Sequence, residues 1–352
     1  MSRRPKEIPL SRRAVPSIVR DKARAPLAVV LGSPAEVVHC LSFLDGIDAV
    51  CYQLDLHQAE RLQAELAERQ SAAKVVTAAD VWDLSPDFQT VLYLPPHGGE
   101  RELKIDMIEQ AFHILRPNGT LMVWSPYETE PFFPALLKKI FGRVHAPHVE
   151  GETMLWCRRE GDRPRRRHEV TFQARIADGP SYRFVSRPGV FSYGRFDNGA
   201  RALAETMTIH AGDRVLDVGC GCGTNGVFAA QHSGSDSPIA FVDSNVRAVA
   251  LADLNARGNG LTAFQTVASS RIEGLQEGSF DVVLANPPYY ANRAIARLFI
   301  ERGRALLKPD GRFYVVSKQV EEIAELMMEL FENVEAMMRR GYTILSNTET
   351  IG

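Results

Sequence analysis

Short apolar runs alternate with stretches of helical spacing along most of the chain. In the second half, residues 214–218, 239–242, 262–267, 280–285 and 313–316 read as strands. Between and after them, 225–231, 246–256, 295–307 and 320–331 carry apolar residues at helical spacing. Lys308-Pro-Asp-Gly311 closes the third of these helices. At the end, 334–338 and 343–345, joined by Arg339-Arg-Gly341, predict an antiparallel pair. Strands that alternate with helices predict a mainly parallel sheet covered on both faces.

The first half repeats the pattern. Phe88-Gln-Thr-Val-Leu-Tyr-Leu-Pro-Pro96 matches Phe280-Asp-Val-Val-Leu-Ala-Asn-Pro-Pro288 at an offset of 192 residues. Leu115-Arg-Pro-Asn-Gly119 matches Leu307-Lys-Pro-Asp-Gly311 at the same offset. Gly151-Glu-Thr-Met-Leu-Trp156 matches Gly341-Tyr-Thr-Ile-Leu-Ser346 at an offset of 190. A repeat this long is a duplicated domain, not a solenoid. In this alignment Val30-Leu-Gly32 falls opposite Asp217-Val-Gly219, and Asp55 opposite Asp243. The first copy has only Gly32 where the second has a glycine-rich loop, and Leu94 where the second has Asn286. The first copy has therefore lost its chemistry. The expected organisation is a basic tail (1–25), a degenerate domain (26–160), a basic linker with a strand pair (161–185) and a working domain (186–352).

Composition changes this picture little. A length of 352 residues suits about two domains. An apolar share of 45% with 24% charged residues is that of a globular protein. No apolar run approaches the roughly 18 residues that span a membrane, and the basic N-terminus lacks the apolar core of a signal peptide. Five cysteines do not make a disulfide framework in a chain this long. A reduced protein of the cytoplasm is expected. Net charge is only −2, yet cations cluster at 3–24 and at 158–168. Such clusters hold phosphate backbones or simply face solvent.

The candidate chemistry lies in two motifs. Asp217-Val-Gly-Cys-Gly-Cys-Gly223 follows a strand and precedes a helix. Glycines at alternate positions permit positive φ and let backbone amides approach a ligand. Asp243 ends the next strand, where a carboxylate can accept from two ribose hydroxyls. Gly221-Cys-Gly-Thr-Asn-Gly226 also fits a dinucleotide fingerprint. The same loop logic serves S-adenosylmethionine, and Asp217 favours that cofactor, because a carboxylate gains little beside a pyrophosphate and more beside a cationic methionine end. Cys220 and Cys222 fall short of four metal ligands, so no metal is expected.

Asn286-Pro-Pro-Tyr289 ends the fourth strand of the second copy. Two prolines fix the backbone and remove two donors. The Asn286 amide oxygen and the Pro287 carbonyl can then accept from one NH2 group, and Tyr289 offers a face for a base to stack on. This suits methylation of an exocyclic or amide nitrogen, whose delocalised lone pair needs help to become tetrahedral.

These residues resemble the motifs of class I methyltransferases that act on amino nitrogens. The tandem layout is similar to that of the ribosomal RNA guanine-N2 methyltransferases, including the small-subunit enzyme. Arg187-Pro-Gly-Val-Phe-Ser192 and Phe196-Asp-Asn-Gly199 resemble the segment that leads into the catalytic domain there. The resemblance covers nearly the whole chain. It implies two tandem α/β Rossmann-like domains, each a mainly parallel sheet with an antiparallel last strand, and S-adenosyl-L-methionine as cofactor. It implies that Asp217, Gly219, Gly221 and Gly223 hold the methionine and ribose part, with Cys220 beside them. Asp243 and Ser244 then hold the ribose, Ala268 and Ser269 lie near the adenine, and Asn286, Pro287, Pro288 and Tyr289 hold the guanine. Ribosomal RNA or a ribosomal subunit would be the partner, positioned by the first domain. The chain departs from the family at Tyr289-Tyr-Ala-Asn292, where the family has an aromatic, His and then Gly, and at Ala268-Ser-Ser270, where it has an acid. Adenine N6, protein glutamine and small molecules are alternative targets of the same chemistry. A non-enzymatic RNA-binding factor is the alternative of another class. The sequence leaves the oligomeric state open.

Overall fold

The computed structural model describes residues 17–44, 46–85, 87–96, 100–125, 127, 130–149, 151–288 and 293–347. The chain forms two compact units, 1–168 and 169–352.

In the N-terminal unit the order is α1 (Ser17–Lys22), β1 (Leu27–Leu31), α2 (Pro34–Leu41), β2 (Ala49–Gln53), α3 (Leu56–Glu68), β3 (Lys74–Thr77), β4 (Phe88–Leu94), α4 (Arg101–Ile114), β5 (Leu115–Ser125), α5 (Phe132–Phe141) and β6 (Thr153–Arg158). The sheet runs β3-β2-β1-β4-β5-β6, with β6 antiparallel to β5. All of β1 is buried, as a central parallel strand covered on both faces must be. One face packs on α4 and α5 through Met107, Phe112, Phe133 and Leu137. The other packs on α1, α2 and α3 through Val19, Val37, Leu62 and Leu66. Part of the expected basic tail is therefore folded: α1 is an element of this unit and buries Val19.

The C-terminal unit opens with a two-stranded antiparallel sheet, β7 (Val170–Arg175) and β8 (Ser181–Ser186). It continues with α6 (Asn198–Thr206), β9 (Val215–Val218), α7 (Thr224–Ser233), β10 (Ile239–Asp243), α8 (Val246–Gly258), β11 (Phe264–Ala268), β12 (Phe280–Ala285), α9 (Arg293–Leu306), β13 (Leu307–Ser317), α10 (Val320–Leu330), β14 (Glu335–Arg339) and β15 (Tyr342–Ser346). The sheet order is β11-β10-β9-β12-β13-β15-β14, parallel except at β15. One apolar layer includes residues of α6, α7 and α8, and the other residues of α9 and α10. The expected architecture is present in both halves, and α6 is an element the periodicity did not reveal.

The strand pair expected within 161–185 is present, but the segment does not stand apart as a linker. β7 and β8 belong to the C-terminal unit, where Asn255 of α8 bonds both backbone groups of Val185. The basic run before them lies along the N-terminal unit, held by alternate side chains. Arg163 donates to the Lys139 and Ile140 carbonyls at the end of α5. Arg165 sits 5.6 Å over the Trp82 ring, Arg167 is 3.5 Å from Asp80, and His168 is 2.8 Å from Glu109.

Strand register also corrects the alignment of the two copies. Leu27 pairs with Thr90 as Val215 pairs with Val282, and with Ala49 as Val215 pairs with Ile239. Val29 thus stands where Asp217 stands, Gly32 where Cys220 stands, and Gln53 where Asp243 stands. Asp55 answers to Asn245, and each caps the following helix.

Gly303 of α9 faces Phe313 so closely that a Cβ there would lie 2.4 Å from the ring and 3.1 Å from Val283. Gly303→Ala should destabilise the protein by about 1–3 kcal/mol through overpacking. Thermal melting should show a Tm lower by several degrees; an unchanged Tm would contradict this packing.

Candidate functional site

The site lies at the carboxyl ends of the strands, where open α/β sheets bind ligands. After β9 the chain turns through Gly219, Gly221 and Gly223, at φ 67°, 55° and 84°. Side chains rarely adopt that region, so the turn depends on glycine. Gly219 and Cys220 both donate to the Val242 carbonyl. Gly221 and Asn245 donate to the two Asp243 carboxylate oxygens, each at 2.9 Å. Asn245 then caps α8 with its side-chain oxygen and donates to the Gly189 carbonyl at 2.7 Å. Arg247, fully buried, bonds the neighbouring Pro188 carbonyl. One end of α8 thereby holds the 187–190 segment against the glycine turn, and Val190 packs with Cys222, Ala248 and Leu251.

Asp217 is 2% exposed and accepts from Gly226 N–H in the first turn of α7, at 2.9 Å. Burial pushes its carboxyl up to about 7; the Asp243 charge adds to this and the Gly226 bond opposes it. Burial also pushes the Cys222 thiol up to about 12 and the Cys220 thiol well above its ordinary value. Both are small apolar fillers of the turn, not thiolates. Among the described residues no group of three or more His, Cys, Asp or Glu could hold a metal ion.

Ala268 pairs in register with Asp243, and Ser269 N–H donates to the Asp243 carbonyl at 3.0 Å. The Ser269 hydroxyl accepts from Glu273 N–H, and Ser244 is half-buried after Asp243. Asn286 follows Ala285, whose partner Val218 precedes Gly219. The two motifs thus meet on adjacent strands. Pro287 is buried and Pro288 exposed, whereas Tyr289 lies outside the described residues.

The sequence reading missed the residue that holds Asn286. Asp197 caps α6 by accepting from Ala200 N–H at 2.9 Å, and the same oxygen accepts from the Asn286 NH2 at 3.4 Å. A carboxylate oxygen accepts only, so this contact turns the NH2 of Asn286 toward Asp197 and its amide oxygen away. The signal was present as an Asp just before the apolar pattern of α6. Phe299 of α9 was missed as well: its ring would meet a Cβ on Gly219 at 2.7 Å. Nothing in the sequence places these two together.

The N-terminal unit has the same corner filled. The Gln53 amide donates to the Gly32 carbonyl at 3.0 Å, opposite in polarity to Asp243 accepting from Gly221. Leu94 covers Gly32 closely enough that a Cβ there would lie 2.8 Å from its Cδ1.

Comparison with known proteins agrees with this geometry. The family model described as the methyltransferase small domain matches residues 181–346. An uncharacterized Bacillus subtilis protein, YbxB, is 32% identical over 174 residues, which cover 47% of this chain and 84% of that protein. The chain belongs to the methyltransferase small-domain family. A family relative in Chromohalobacter salexigens, called ribosomal RNA small subunit methyltransferase C, is 36% identical over 140 residues. That match spans 38% of this chain and only 40% of the relative's length. A solved structure from T. thermophilus, of the 16S rRNA N2 G1207 methyltransferase with AdoMet and guanosine, covers 97% of both chains with a TM-score of 0.75. At 21% identity that likeness is one of fold.

Asp217 gives this methyltransferase small-domain chain a measurable signature. Between pH about 4 and 7 the native state keeps a proton that the unfolded state has released. Stability should therefore fall as pH rises through that window, by up to about 1.4 kcal/mol per pH unit. Denaturant unfolding at pH 5 and 7.5 should show Asp217→Asn losing less stability over the interval than the wild type. Equal losses would mean that Asp217 does not titrate in this window.

Proposed function

We propose that the chain is an S-adenosylmethionine-dependent methyltransferase that methylates the exocyclic N2 of a guanine in ribosomal RNA. The observation that carries this reading is the placement of Asn286 beside the glycine turn, with its amide oriented by Asp197. The residues fit the cofactor. Nothing lies within 4 Å of where a Cβ on Gly221 would stand, so the turn opens onto space for a ligand. Asp243, Ser244 and the glycine turn would hold its ribose and methionine part, and Ala268 and Ser269 would lie toward its adenine. Bound there, S-adenosylmethionine supplies a methyl group on a sulfonium centre that needs no activation.

The protein's task is then to present a poor nucleophile. Guanine N2 shares its lone pair with the ring. Two acceptors, the Asn286 amide oxygen and the Pro287 carbonyl, draw its hydrogens out of conjugation and favour a tetrahedral nitrogen. They also stabilise the positive charge that grows on it, and in-line placement supplies much of the remaining acceleration. The proton leaves after attack, so no general base is needed first. Tyr289 is expected to stack on the base.

Guanine in ribosomal RNA is favoured over adenine, glutamine or a small molecule by the tandem architecture and by the ribosomal RNA methyltransferases among the relatives. Such a substrate places the activity in the cytoplasm. Among the described residues no helix is long and apolar enough to cross a membrane. In this reading the N-terminal unit, its cofactor corner filled, positions the RNA.

Labelled methyl transfer to ribosomal RNA from cells lacking this gene, followed by nucleoside analysis, should give N2-methylguanosine. Asn286→Ala should lose transfer by at least about 100-fold, the scale of losing one preorganised transition-state contact, while cofactor binding persists. Label in N6-methyladenosine would change the base, and full activity in Asn286→Ala would sink the mechanism.

Asp197 is tested by two variants. Serine still caps α6 but is too short to reach Asn286, and asparagine keeps the accepting oxygen. Asp197→Ser should lower kcat by about tenfold or more through misplacement, with cofactor affinity and Tm little changed. Asp197→Asn should recover much of that loss. Wild-type kcat in Asp197→Ser would show that the contact only caps the helix.

A further inference from the structure

The cations of the N-terminal unit fall into two kinds. Arg159 pairs with Asp162 and bonds the Leu115 carbonyl, while Arg163 and Arg167 meet a carbonyl pair and Asp80. These serve the fold. Lys22, Arg143 and Arg158 have no ion-pair partner among the described residues, and Arg143 and Arg158 are exposed.

These three come from different elements and converge on one place. Met154, Trp156 and Arg158 share the face of β6 toward α1, α2 and α3, on which Met154 and Trp156 pack. After α5 the chain returns to this strand, and His145 and Trp156 exchange both backbone hydrogen bonds at 2.9 Å. Their rings stack at 3.8 Å and 5°. Lys22, the last residue of α1, places its ammonium 4.3 Å from the centre of the Trp156 ring. The His145 imidazole is held below its ordinary pKa, first by burial and then by the fields of Arg143, Lys22 and Arg158. The three cations are thus close enough to act on one ring.

Gathering like charges costs free energy in the free protein. The arrangement suits an anion laid across them. The rigid His145–Trp156 stack fixes the spacing, and Arg143 and Arg158 remain open to solvent. We propose that Lys22, Arg143 and Arg158, set around the His145–Trp156 stack, form a phosphate-binding patch for the backbone of the RNA substrate. The proposal rests on the RNA reading above and names the surface that serves it. Its contacts position the substrate and carry no base specificity. It also takes the place of the 163–167 run, whose alternate arginines are occupied within the unit.

The test uses the full chain, ribosomal RNA from cells lacking this gene, and a salt series. The K22Q/R143Q/R158Q variant should bind at least tenfold more weakly than wild type in low salt. Its log Kd against log salt should be shallower by about two to three, the loss of three phosphate contacts. KM for RNA should rise while kcat, S-adenosylmethionine affinity and Tm stay near wild type. A control variant, R61Q/R69Q/K74Q, removes the same charge from exposed positions elsewhere on this unit and should keep the wild-type slope. Equal slopes for wild type and the patch variant, or equal losses in the two variants, overturn the patch while leaving the RNA substrate standing. Wild-type protein that does not bind or methylate RNA overturns the RNA reading, and the patch with it.

Discussion

The Asp243 carboxylate is the constraint on which the C-terminal unit's working edge depends. One oxygen fixes the glycine turn through Gly221, and the other fixes the first residue of the next helical cap through Asn245. Asn245 passes the constraint on to Gly189, so a single side chain sets the relation of strand, turn, helix and entering segment. Charge-assisted bonds to backbone N–H groups are among the stronger ones a protein makes. Here they order the backbone that would face a ligand. Asp217 does the same for α7 from beneath the turn, as a buried group that costs more when ionised.

The two halves show what the same fold becomes when that constraint changes. Gln53 occupies the place of Asp243 but donates where Asp243 accepts. Leu94 occupies the place of Asn286 and closes over Gly32. Strand order and register survive almost unchanged, because they follow from apolar pattern and burial on both faces. The edge residues are free of that requirement, and it is there that the two halves differ in polarity and filling.

Much of this was legible in the sequence. The strands and most helices followed from periodicity, and the two motifs announced themselves by glycine and proline spacing. α6 was not, because a nine-residue helix whose only large apolar side chain is Leu203 gives a weak pattern that only packing resolves. Asp197 followed the same course: a cap is visible in sequence, whereas its second acceptance from Asn286, 89 residues away, is a product of the tertiary fold. The sequence alignment of the copies slipped at the glycine turn because the first copy is four residues shorter between its first strand and its Pro-Pro motif. The arginine run read as a basic linker that either holds phosphate or faces solvent, because charge patterning does not reveal which cations find partners.

Leu94 over Gly32 has a thermodynamic consequence. It serves the N-terminal unit as a ligand that is covalently part of the chain and always present. Any protein whose folded form binds a ligand gains stability with the logarithm of ligand concentration. The C-terminal unit, if it takes up a cofactor at the Gly221 turn, is coupled in that way to the supply of that cofactor. The N-terminal unit is not, and its intrinsic stability is the same in a well-fed cell and a starved one.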